Sequence, residues 1–131
     1  MATTLFSLPK PDLEAHRNSL MLPMPEIIKA LVAVVGKKLT AYIAGVKDTR
    51  ALARWMEGAQ PYNEAERHLR FAYHVVMTLS TVDSPSVVQA WLMDVNPELG
   101  DRVPIRMLRD KNLEKVAPLV LGAARTFAAG G

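Results

Sequence analysis

MPEIIKALVAVVGKKLTAYIAGVKDTRALARWMEG, residues 24–58, reads as three helices cut apart by glycine. Pro25 suits the first helical position, where its missing N–H had no partner to lose. Ile27, Ile28, Leu31, Val34 and Val35 then recur at helical spacing, and Gly36 stops the run. A second helix is expected over residues 37–44, closed by Gly45. Asp48 or Thr49 is placed to cap a third, reaching about Glu57 with Gly58 after it. Nothing here or elsewhere alternates as a strand does, so the fold class is all-α.

The same reading extends to both sides. Residues 1–22 hold Pro9 and Pro11, mixed charge and little periodicity, and are expected to form a flexible arm. After the connector Gln60-Pro61-Tyr62, Asn63 and Glu66 have the spacing of a capping box. Leu69, Ala72, Tyr73, Val76 and Leu79 then make one stripe of a long helix. Ser84-Pro85 restarts the chain, residues 96–100 form a turn, and Pro104 opens a short helix through Leu108. Asn112 is placed to cap a last helix carrying Leu113, Val116, Val120 and Ala123. Pro118 within it predicts a kink or a late start.

At 131 residues the chain suits one domain, and its half share of hydrophobic residues suffices for a core. The net charge of +3 is compatible with nucleic acid or with an ordinary surface. Without cysteine there is no disulfide, thiol nucleophile or cysteine-ligated zinc. The longest apolar run, residues 30–35, is too short to span a bilayer, and no signal peptide is evident, so a cytoplasmic location is expected. His16, His68 and His74 lack the four-residue spacing that puts two imidazoles on one helix face for a metal. No phosphate loop, GxSxG elbow or serine–histidine–acid set is present. Neither enzyme chemistry nor a cofactor is expected.

The glycine-punctuated stretch has the plan of a helix-turn-helix. Ala41 and Gly45 stand four apart, a small residue allowing close helix approach and a glycine the turn. If residues 49–57 are helical, Leu52, Trp55 and Met56 face inward, while Arg50, Ala53, Arg54 and Glu57 face out. Arg50 and Arg54 are then the candidate groove or phosphate contacts of double-stranded DNA, with Lys38 and Lys47 positioning the backbone and Thr49 a further DNA-binding candidate. The bland alternative is a helical hairpin with solvated arginines.

Farther along stand Ser84-Pro85, Ala90-Trp91-Leu92, Asn96-Pro97-Glu98-Leu99-Gly100 and Pro104-Ile105-Arg106-Met107-Leu108. Residues 84–116, which contain them, resemble the toxin-binding domain of the Xre/MbcA/ParS-like antitoxins. Upstream, Ala53-Arg54-Trp55 and the segment with Glu66, Arg70, Ala72 and Tyr73 look like that family's Xre-like half. The resemblance covers roughly residues 25–128. Two departures stand out: Asp101 where glycine is common, and a turn before Trp55 one residue longer than is usual.

The resemblance implies an all-helical homodimer that binds a cognate toxin, commonly a RES-domain enzyme destroying NAD, and that represses its own operon. It divides the chain into the arm (1–22), an Xre-like helix-turn-helix region (23–60) and an antitoxin-type helical region (61–131), the last two forming one compact bundle. It also implies that the carboxyl-terminal end blocks the toxin, which makes Arg125, Thr126, Phe127 and Ala128 the toxin-binding candidates. Val87, Trp91, Leu92 and Leu99 are open between core and partner surface, with Trp91 assigned to the core. The expectation is an antitoxin that neutralises a RES-type toxin sterically; the alternative is a stand-alone helix-turn-helix regulator without a toxin partner.

Overall fold

A computed structural model describes residues 10–130. Among them the regular structure is helical throughout, and one isolated bridge, Asn96 to Arg102, is the sole extended pairing. The helices are α1 (Lys10–Met21), α2 (Met24–Val35), α3 (Lys37–Ala44), α4 (Arg50–Met56), α5 (Asn63–Ser80), α6 (Pro85–Met93), α7 (Pro104–Arg109) and α8 (Leu113–Ala128). A 3-10 turn, Pro97–Leu99, lies between α6 and α7. None of these helices is long and apolar enough to cross a membrane.

α5 is the axis of the bundle. It packs against α1, α2, α3, α6, α7 and α8, and buries residues around most of its circumference, including Leu69, Val75, Val76 and Leu79. Ile27, Ile28 and Leu31 of α2, Ile43 of α3 and Leu52 of α4 close the core on one side. Leu92, Leu108 and Val120 close it on the other, so both halves of the chain share one core. His68 ties them further, its Nδ1–H donating to the Leu108 carbonyl at 2.7 Å inside the core.

The glycine punctuation forms as read. Gly45 adopts a left-handed φ of 80°, its N–H donates to Tyr42 O, and the next N–H, of Val46, reaches back to Ala41 O at 3.1 Å. That pair of bonds is the Schellman ending, which satisfies carbonyls the helix leaves over. Of the two cap candidates, Thr49 occupies the N-cap position of α4 but makes no side-chain bond there, while Asp48, one residue earlier, accepts the Arg50 N–H on Oδ1 at 2.9 Å.

Four details depart from the reading of the sequence. The segment expected as a flexible arm is helical from Lys10 onward and lies on α5; residues 1–9 fall outside the described part. Its contact uses small residues, Ala15 and Ser19, one turn apart and both buried, so no stripe of large side chains announces it. The capping box does not form. Tyr62 is the extended residue before α5, and Asn63 is already helical. With the helix starting one residue before the box requires, Glu66 pairs with Arg70 Nε at 2.9 Å and accepts from Gln60 Nε2 at 3.2 Å. Asn112 makes no side-chain cap either; Asp110 Oδ1 accepts the Asn112 N–H. Finally, α8 starts at Leu113 and runs through Pro118 without a late start. Pro118 is exposed, as is Glu114, whose carbonyl loses its helical donor and is open to water.

Candidate nucleic-acid and protein-docking faces

The first face is built by α3, α4 and the turn between them. α4 buries Ala51, Leu52 and Trp55, the indole meeting the Tyr62 ring edge-on with centroids 5.9 Å apart. Arg50, Ala53, Arg54 and Glu57 are left exposed, as the helical spacing predicts. Arg50 has a local partner. Its Nη2 lies 2.9 Å from Asp48 Oδ2, while its own N–H holds Oδ1. The two bonds from Arg50 hold the Asp48 carboxyl below its usual range, and the same pairing raises Arg50 above its ordinary value. Arg54, one turn on, is exposed as well.

Lys38, Lys47 and Thr49 come together in an open cleft of about 570 Å³, floored by Ala41 and Val46. Arg50 and Arg54 stand on the exposed side of α4 and do not line it. Arg109, at the end of α7, does line it. Nothing in the sequence flags that residue, because its place depends on α7 docking against α3.

The second face lies at the carboxyl-terminal end of α8. Val87, Ala90 and Trp91 of α6, the 95–98 segment and Ala123, Thr126 and Phe127 of α8 surround a groove of about 450 Å³. Trp91 and Phe127 are each half-buried, their ring centroids 6.4 Å apart and tilted by 55°. Val87 is 37% exposed and Val95 62%, so the groove opens onto a broader apolar margin. Asp94 and Glu98 stand on its rim and carry the only formal charges among its lining residues.

The residues assigned to toxin binding divide here. Thr126 and Phe127 line the groove; Arg125 is exposed and Ala128 half-buried, and neither lines it. All four belong to the last turn of α8 and not to a loose tail. The Thr126 hydroxyl donates to Gly122 O at 3.0 Å, one turn back. Of the motif residues left open between core and surface, Leu92 and Leu99 are core. Trp91, assigned to the core, is divided: one part packs against it and another walls the groove.

Comparison with protein-family models, with curated proteins and with solved structures finds no match to this chain.

Proposed function

We propose that this chain is an antitoxin-type protein that acts by gripping other macromolecules. It neutralises a RES-type, NAD-degrading toxin by occupying it sterically, and represses its own operon through α3 and α4, acting as a homodimer. The observation that carries this reading is the groove. Trp91, from the motif that resembles the antitoxins, and Phe127, from the segment expected to meet a toxin, wall one open apolar depression. An aromatic pair in such a depression is the arrangement that dominates protein–protein affinity, because a partner side chain seated there loses its water completely. The exposed Arg54 and the lysines beside it support the operator-binding part, since cations on an outward helix face meet phosphates and guanine edges.

Neutralisation on co-expression with a RES-type toxin tests the groove. Val95→Glu places a charge on its margin at a residue already 62% exposed, so folding is spared. Leu20→Glu, at the same exposure on α1, is the matched control. Val95→Glu is expected to lose protection and Leu20→Glu to keep it. Equal protection by both variants would remove the groove from the mechanism.

A further inference from the structure

The cleft between α3, α4 and α7 holds three cations whose charge the fold leaves uncompensated. Among the described residues no carboxylate lies within ion-pair distance of Lys38, Lys47 or Arg109. One acid, Asp48, lines the cleft, and Arg50 occupies both of its oxygens. Asp110, next to Arg109, opens onto a different depression and holds the Asn112 N–H. The cleft therefore presents three positive charges against a carboxylate already neutralised.

Arg109 is also held in place. Its guanidinium carbon lies 4.5 Å from the centroid of the half-buried Tyr42 ring. Stacking on a ring restrains the side chain while leaving the N–H groups at the edge of the fork available, and such a fork matches two oxygens of a phosphate. Restraint before binding lowers the ordering cost that a flexible cation would bear.

We propose that Arg109 completes a phosphate clamp with Lys38 and Lys47, so that both halves of the chain hold the backbone of duplex DNA. The inference deepens the operator-binding part of the reading above and rests on it. Duplex DNA is the occupant that fits, because α4, which exposes Arg54, follows directly from the turn carrying Lys47. A phosphate fixed in the cleft would set the register of α4 against the groove, as backbone contacts do in general. The clamp also makes the amino-terminal helices alone an incomplete DNA-binding unit.

The test is fluorescence anisotropy of the full chain on a labelled duplex carrying the sequence upstream of its own gene, across a range of salt. Losing one phosphate contact lowers the salt slope by about 0.9, which corresponds to roughly eightfold weaker binding at 0.1 M salt. Arg109→Ala is expected to show both changes, and Arg109→Lys to restore the slope but only part of the affinity. Lys47→Ala, in an exposed turn with no packing to lose, reports on the clamp independently of Tyr42. Arg17→Ala, an exposed cation on α1, sets the baseline for simple charge loss.

If Arg54→Ala weakens binding while Arg109→Ala and Lys47→Ala match Arg17→Ala, the clamp fails and the operator reading stands. If the parent protein binds no duplex, both fall. Saturable binding of ATP that Arg109→Ala abolishes, with duplex binding unchanged, would overturn the clamp in favour of a small-molecule site.

Discussion

Asp101 stands at φ 62°, directly after Gly100 at φ 67°. Left-handed backbone costs an L-residue roughly 1–2 kcal/mol, less for aspartate, whose short side chain bonds locally. The conformation is imposed by the turn: Asp101 N donates to Asn96 O at 2.9 Å and Asn96 N to Arg102 O at 3.0 Å, closing the loop that leads into α7. Asp101→Gly relieves this strain while adding unfolded-state entropy, so its stability is expected to lie from unchanged to about 1 kcal/mol higher. Asp101→Val, β-branched, is expected to lose about 1–2 kcal/mol. Denaturant unfolding of the two variants checks the order; a valine variant as stable as the glycine one would contradict it. This residue was legible in the sequence as a departure from a pattern where glycine is common, though not as backbone strain. Asp48 was legible only as one of two possible caps. That its carboxylate would also hold the Arg50 side chain depends on rotamers that spacing does not specify.

Among the elements, large apolar side chains at helical spacing placed α2 and α5 well, and glycine or proline marked bounds of α2, α3 and α6. α1 escaped because its buried face is Ala15 and Ser19, which carry little hydrophobic signal. It is held instead by Arg70 of α5, which pairs with Glu66 and donates from Nη1 to the carbonyls of Leu22 at 2.8 Å and Ser19 at 3.2 Å. Those are acceptors at and just past the end of α1, where a helix runs out of its own donors. Removing a partly buried, charged donor of this kind costs about 2 kcal/mol. Arg70→Ala is therefore expected to raise amide exchange in α1 roughly thirtyfold, with α5 unchanged, since local opening follows local stability. Equal exchange in the two proteins would show that α1 is held by its packing alone. The capping box fails on register: α5 starts one residue early, with Tyr62 as its cap and Asn63 already helical, so Asn63 and Glu66 do not stand at the N-cap and third positions, and Glu66 pairs with Arg70 instead.

For the whole molecule, the sequence marked what each face contains and left out how it is assembled. Lys38, Lys47, Arg50 and Arg54 were visible as a basic stretch, and Thr126 and Phe127 as a segment implied by the resemblance. That Phe127 would stand over Trp91, or Arg109 over Tyr42, follows only once α8 and α7 have packed against the shared core. Cross-element contacts of this sort carry no spacing signature, which is why the groove and the basic cleft emerge from the fold. The two faces also differ in the forces available to them. Apolar burial in the groove is largely indifferent to salt, whereas the proposed phosphate contact at the cleft would weaken steeply with it. Salt should therefore separate protein binding from DNA binding in one preparation.

The central claim is that the Trp91–Phe127 groove is where a toxin docks. Hydrogen–deuterium exchange on the chain, alone and mixed with a RES-type toxin of the proposed class, addresses it most directly. The account predicts added protection in α6, residues 95–98 and the last turn of α8. Protection that leaves those segments unchanged and falls elsewhere on the bundle would contradict it.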